Sequence, residues 1–179
     1  MKKQNHKTVF LTLCSILIFQ CSLYSQSADQ KHPWWVNLGV GPSLIGSDFS
    51  MNGGMVYCYQ WEKSIISARM LGLTNKNPTI QQMHPTALEY KFADYGILYG
   101  PIWQEEQWYV SVGAGIGLVR AAYETPLEIT TNTSISIPLE TQCFWRPTHF
   151  FGVGLYMYST FNFEKMLTGL MISAQLGVW

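Results

Sequence analysis

Residues 108–118 read WYVSVGAGIGL, and this stretch decides the fold. Apolar side chains occupy every second position, from Trp108 through Val110 and Val112 to Leu118, while Ser and Gly fill most positions between them. A period of two indicates a β-strand with two unlike faces. One face is bulky and apolar and the other is small, which is typical of a transmembrane barrel with a narrow, crowded lumen.

Seven further stretches alternate in the same way, so the pattern predicts eight strands. They are Trp34 to Gly41, Met51 to Trp61, Ile65 to Leu73, Ala87 to Tyr99, Ser134 to Trp145, His149 to Ser159 and Leu170 to Val178. In the fourth stretch the alternation slips near Asp94, which predicts a β-bulge there. The predicted fold is all-β, a closed antiparallel up-and-down transmembrane barrel of eight strands.

The connections between these stretches alternate in length. Those at 62–64, 101–107 and 146–148 follow the second, fourth and sixth strands, and those at 44–50, 74–86, 121–133 and 160–166, which tend to be longer, follow the others. Transmembrane barrels have short periplasmic turns and longer outer loops. The pattern therefore predicts that the N-terminal end of the barrel faces the periplasm.

The composition limits both partners and environment. Formal net charge is zero, so electrostatics offer no case for nucleic acid as a partner, and only 12% of residues are charged while 15% are aromatic. The part of the chain after the first apolar run contains no long apolar stretch. A membrane location would then require a closed barrel, because a backbone in lipid must satisfy its own hydrogen bonds.

The first 26 residues have the pattern of a cleaved signal peptide. Lys2, Lys3 and Lys7 precede an apolar run from Thr8 to Phe19, and small residues follow. We expect export, removal of residues 1–26 and a barrel domain over 33–179. Lipidation at Cys21 is an alternative, although the preceding Gln20 is not the small residue that such processing normally requires.

Tryptophans cluster at one predicted end of the barrel. All seven lie at predicted periplasmic strand ends or turns: Trp34, Trp35, Trp61, Trp103, Trp108, Trp145 and Trp179. Tryptophan favours the membrane interface, since its ring is apolar and its N–H needs a polar partner. We therefore expect these residues to form an aromatic girdle at that interface.

Polar residues on the other strand faces predict a structural network in the lumen. The candidates are Arg69, Glu89, Lys91, Glu140 and Gln142. The third and fourth strands are neighbours, so Arg69 is expected near Glu89 or Lys91. Side chains fill the lumen of an eight-stranded barrel, and we expect no open pore.

No catalytic, cofactor or metal site is predicted. A barrel enzyme that modifies lipid would need a nucleophile and a base at the outer rim. His84, Asp48 and Ser50 lie in predicted outer loops but show no motif that pairs them, and no His/Cys spacing suggests a metal. A lipid-modifying enzyme and a soluble periplasmic barrel that binds a hydrophobic ligand remain alternatives.

Three segments resemble known barrels. Residues 173–179, which end on Trp179, are similar to the C-terminal element of small eight-stranded outer-membrane proteins of Gram-negative bacteria, the class of OmpX and the OmpA membrane domain. Residues 95–100 and 137–142 resemble barrels of the Bacteroidota. The resemblance implies outer-membrane lipid and the barrel-assembly machinery as partners, with a structural or surface-interaction role, and leaves the oligomeric state open. Gly177 departs from the aromatic or aliphatic residue usual at its position.

Overall fold

Eight antiparallel strands close into one barrel. The structure, a computed structural model, describes residues 33–46, 48–74, 89–124, 129–163 and 165–179. The strands are β1 (Trp34–Ile45), β2 (Asp48–Trp61), β3 (Ser64–Thr74), β4 (Glu89–Glu105), β5 (Trp108–Glu124), β6 (Ile129–Trp145), β7 (Phe151–Asn162) and β8 (Leu167–Val178). Each strand pairs with its neighbours in the chain, and β8 pairs with β1. The predicted eight-stranded barrel is confirmed, while the predicted signal peptide and Cys21 lie outside the described residues.

The two ends of the barrel are built differently. At the turn end, residues 62–63, 106–107 and 146–150 join consecutive strands, and β1 begins beside the end of β8. The opposite end, the far end, holds the connections at 46–47 and 163–166 and the tips of β5 and β6. Among the described residues, no helix has the length and apolar composition that crossing a membrane requires.

The faces of the strands divide as the alternation predicts. In β5, Val110 and Val112 are exposed on the outer wall, whereas Tyr109 and Ser111 are buried inside. In β8, Ile172 is 72% exposed while Gln175 is fully buried. The outer wall is therefore apolar, whereas the inside contains both polar side chains such as Gln175 and apolar ones such as Phe144. A soluble barrel differs in having a polar outer face.

Two connections at the far end are much shorter than the pattern predicts. The expected loop at 44–50 is mostly strand, because β1 continues to Ile45, β2 begins at Asp48, and Gly46 makes the turn with φ of +62°. Glycine adopts this left-handed conformation without steric cost. The expected loop at 121–133 is also mostly strand, and residues 130–133 are exposed and polar on both faces, so alternation could not reveal them.

Strand β4 contains no bulge at Asp94. Its pairing with β3 runs without interruption from Thr74 opposite Lys91 to Ser64 opposite Pro101. Phe92 is therefore buried in the lumen and Lys91 is exposed on the outer wall, so the prediction that Lys91 faces inward is wrong. The physical reason is that the apolar ring of Phe92 faces the lumen, whereas an outward Phe92 would require a change of phase further along the strand.

Three prolines lie inside strands. Pro42, Pro101 and Pro138 each leave two residue pairs unmatched in one ladder, those of β1–β8, β4–β5 and β5–β6, while the ladder on the other side of each proline stays continuous. Proline has no N–H to donate, so it can satisfy the pairing on one side only. Pro101 was predicted in a turn, whereas β4 continues past it to Glu105.

Candidate functional site: the lumenal network

A buried ion pair lies in the middle of the lumen. A guanidinium nitrogen of Arg69 on β3 lies 2.6 Å from a carboxylate oxygen of Asp94 on β4, and neither side chain is exposed. The predicted partners were Glu89 and Lys91. Lys91 lies opposite Thr74 and points outward, and the side chain of Glu89 lies outside the described residues.

Neighbouring strands complete the environment of this ion pair. The hydroxyl of Thr160 on β7 donates to Asp94 at 2.6 Å and also accepts from Arg69. Arg69 donates to the carbonyl of Leu139 at 3.2 Å and lies 5.5 Å from the ring centroid of Tyr158. Three other strands thus contribute contacts to one arginine, and these contacts offset the cost of burying its charge.

A second carboxylate, Glu140 on β6, is held by neutral donors. The hydroxyl of Tyr156 donates to it at 2.6 Å, the amide of Gln142 donates at 2.9 Å, and the hydroxyl of Ser67 donates as well. No described basic side chain forms an ion pair with it. Neutral hydrogen bonds replace a counter-charge at this level of the lumen.

The network continues to the turn end. Gln142 accepts from the amide of Asn37 at 2.9 Å and from the hydroxyl of Tyr109 at 3.0 Å. The amide of Gln175 then donates to Asn37 at 3.0 Å and to Tyr109 at 2.7 Å. Polar side chains thus occupy the lumen from Thr160 to Tyr109, with Arg69, Glu140 and Gln142 among them.

Sequence reasoning missed most of these partners. Asn37, Tyr109 and Tyr156 all fall on the lumenal face of their alternating strands, so the signal to include them was present. Asp94 was hidden by the expected bulge. Only alternation was available for these assignments, and it shows which face a side chain occupies but not which side chains meet across the lumen.

The tryptophans divide into two groups. Trp34, Trp61, Trp103, Trp108 and Trp145 lie on the outer wall at the turn end. Trp35 is fully buried in the lumen, where its ring centroid lies 5.3 Å from that of Tyr109, and Trp179 packs against the buried cluster. An interface girdle of all seven stays a prediction, and these two differ from the other five in packing inward; alternation sends Trp35 to the face opposite Trp34.

The residue paired with position 177 in β1 explains why glycine occupies this position. Gly177 lies opposite Trp35 in the pairing of β1 with β8 and faces the lumen. A Cβ at this position would overlap Trp35 and the carbonyl of Trp34. The close approach of β8 to Cα and Cβ of Trp35 therefore leaves space for glycine alone, which accounts for the departure from the usual residue type there.

The residues weighed for catalysis do not form a described site. Ser50 is buried and donates to the carbonyl of Thr74 at 2.6 Å, and Asp48 is exposed at the start of β2. His84 lies outside the described residues. Within the described ranges, His, Cys, Asp and Glu side chains form no group of three or more that could hold a metal ion.

Fold and lumen together define the class of this protein as a small eight-stranded barrel of the outer-membrane type. No family model matches the chain, and no curated protein sequence matches it. Solved structures show the likeness instead.

Three solved barrels illustrate it. Ail, the attachment invasion locus protein of Yersinia pestis, aligns with a TM-score of 0.61 and 11% identity over 83% of this chain and 99% of its own. Neisserial surface protein A aligns with a TM-score of 0.63 and 13% identity, over 83% and 97%. The N-terminal barrel domain of Pseudomonas aeruginosa OprF aligns with a TM-score of 0.57 and 8% identity, over 83% and 98%. At these identities the likeness is one of fold.

Proposed function

We propose that this protein is an outer-membrane barrel with a structural or surface-interaction role and no open pore. The observation that carries the proposal is the combination of an apolar outer face with a lumen that polar and apolar side chains fill. Lipid is the environment in which an exposed apolar wall of this extent is stable. In the proposed orientation, the turn end with its five outward tryptophans lies at the periplasmic interface.

The filled lumen supports a role other than transport. Hydrogen bonds of Arg69, Glu140 and Gln142 cross the barrel to strands that are not neighbours of their own. A diffusing solute would have to break buried charge contacts to pass, and these are strongly unfavourable to break. A soluble carrier of a hydrophobic ligand would need an empty apolar cavity inside the barrel. A groove of about 650 Å³ is instead lined mostly by outward residues such as Leu139, Met157 and Leu170.

The far end supports a surface role. Strands β5 and β6 remain paired up to Glu124 opposite Ile129, whereas β7 joins β6 only from Ser136 onward. Residues 129–135 of β6 therefore have no strand partner on the β7 side within the described ranges. An uncovered strand edge is a template for pairing with another chain. Ail was crystallised with a heparin analogue, and the neisserial barrel is a surface protein, which is consistent with such a role.

Biogenesis completes the proposal. Residues 1–26 direct export and are removed, and residues 173–179 form the element that the barrel-assembly machinery reads. Outer-membrane lipid then contacts the apolar wall.

Fractionation of the producing cells tests the membrane assignment. We expect the protein in the outer membrane, with gel mobility that changes on heating because the closed barrel resists detergent, and no conductance steps in a planar bilayer. A mature product that stays soluble without detergent would overturn the assignment, and stable conductance would overturn the closed lumen.

Epitope insertions test the orientation. A tag between Glu124 and Ile129 is expected to bind antibody on intact cells, whereas a tag between Glu106 and Gln107 becomes accessible only after the outer membrane is permeabilised. The reverse result would contradict the proposed orientation while leaving the barrel itself intact.

A further inference from the structure

A second buried arginine lies at the turn end. Arg146 follows β6 in the 146–150 connection, and its backbone N–H donates to the carbonyl of Gln107 at 2.6 Å, which ties this connection to the turn between β4 and β5. Arg146 is buried, with only 3% of its surface exposed. Gly152 provides the room, since a Cβ there would lie 3.1 Å from Cγ of Arg146.

Aromatic rings contact the guanidinium of Arg146. Its central carbon lies 4.9 Å from the ring centroid of Tyr109 and 5.2 Å from that of Trp179. Such contacts use the faces of the rings and partly compensate a desolvated cation. They do not use the N–H groups, which lie in the plane of the guanidinium.

None of the guanidinium N–H groups has an acceptor among the described residues. Nε and both terminal nitrogens of Arg146 are buried without a hydrogen-bond partner, and the ion pair of the described residues is Arg69 with Asp94. Burial lowers the pKa of Arg146, although arginine remains protonated at neutral pH. Burying a cation without a counter-charge costs several kcal/mol. An anion that accepted hydrogen bonds from these N–H groups would offset that cost.

The level of the site in the membrane narrows the chemistry of that anion. Trp145 directly precedes Arg146 and belongs to the outward group, with its ring centroid 6.3 Å from that of Trp108. Tryptophan belts lie at the level of lipid headgroups. Phosphoryl oxygens are the anionic groups found at this depth, and the arginine fork matches them with two parallel hydrogen bonds.

We propose that Arg146, held between Tyr109 and Trp179, is a binding site for a phosphoryl oxyanion at the turn end of the barrel. The site does not depend on the surface role of the far end. A free phosphate from the periplasm and a phospholipid headgroup share the required chemistry, and the experiment distinguishes them.

Titration calorimetry on the full protein, purified in a maltoside detergent without phosphate, tests the site. Inorganic phosphate is expected to bind saturably to one site. Arg146→Gln is expected to weaken binding at least about tenfold, the equivalent of one lost hydrogen bond to a charged group. The matched control is Arg120→Gln, because Arg120 is exposed on the outer wall near the far end. The Arg120→Gln variant should bind phosphate as well as the unmodified protein does.

A second arm replaces inorganic phosphate with a short-chain phosphatidylglycerol below its micellar concentration. Binding of inorganic phosphate identifies a site for the free ion, and Arg146-dependent binding of the lipid alone identifies a headgroup site. Heat-modifiable gel mobility shows that each variant is folded, and Arg146→Lys, which keeps the charge but loses the fork, gives a second folded comparison with weakened binding. The proposal is overturned if neither ligand binds the unmodified protein, or if Arg146→Gln binds as well as Arg120→Gln.

Discussion

The two buried arginines of this barrel are stabilised in different ways. Arg69, in the middle of the lumen, has a carboxylate on the adjacent strand and a hydroxyl and a carbonyl from two others. Arg146, at the turn end, has aromatic rings and no described acceptor for its N–H groups. Strand register can bring a counter-charge to a fixed place in the lumen, whereas a connection outside the strands has no such register. The middle of the barrel is therefore neutralised internally, and the turn end depends on packing and, in our proposal, on a bound anion.

The largest effect is expected in the middle of the barrel. Arg69→Met leaves Asp94 buried with no counter-charge, so the free energy of unfolding should fall by about 3–5 kcal/mol. Urea-induced unfolding from phospholipid vesicles, followed by tryptophan fluorescence, measures it. The double variant Arg69→Met/Asp94→Leu should recover most of the loss. A single-variant loss as small as that of the exposed control Arg120→Met would show that the ion pair is not important for stability.

Substitution of Glu140 should cause the second-largest loss of stability. Glu140→Gln replaces one acceptor oxygen with an NH₂ group, which faces donors and leaves at least one of them unsatisfied. We expect the free energy of unfolding to fall by about 1–3 kcal/mol in the same unfolding experiment. Tyr156→Phe, which removes one donor to Glu140, should lower stability by less. If Glu140→Gln is as stable as the unmodified protein, the hydrogen bonds of the carboxylate do not contribute to stability.

Packing at the turn end is tested by Gly177→Ala. The added methyl group overlaps Trp35, so we expect a loss of about 1–2 kcal/mol from forced displacement of packed groups. Gly72→Ala is the matched control, because Gly72 is exposed on the outer wall and the nearest atom to its added Cβ would be 3.8 Å away. Equal stability of the two variants would contradict the close contact of Gly177 with Cα and Cβ of Trp35.

The smallest effect is expected for Arg146→Met in phosphate-free buffer. The variant loses ring contacts worth up to about 2 kcal/mol each but also removes an unpaired buried charge, and these opposing terms should leave the change within about 1 kcal/mol. Unfolding in urea again measures it. A loss as large as that of Arg69→Met would show that Arg146 has a protein counter-charge after all, and the difference between the two arginines would disappear.

The sequence predicted the strands of the barrel better than it predicted the contacts between side chains in the lumen. The strands of residues 108–118 and 170–178 were evident because each residue alternates between lipid and a crowded interior. The partner of Arg69 was not evident. Glu89 and Asp94 are five residues apart, so an uninterrupted alternation assigns them to opposite faces, and only the bulge expected at Asp94 assigned Glu89 to the lumen. The continuous pairing of β4 with β3 places Asp94 there instead, beside Arg69.

The sequence by itself determined that this chain forms eight strands with an apolar outer face, since period-two alternation is a local property of each segment. Tertiary structure alone decided the inward places of Trp179 and Phe92, the pairing of Arg69 with Asp94 and the seclusion of Arg146. Each of these depends on strand register and barrel closure, which bring together residues as distant in sequence as Tyr109, Arg146 and Trp179. The aromatic residue that marks the end of β8 in the sequence is, in the folded barrel, part of the wall around a buried cation.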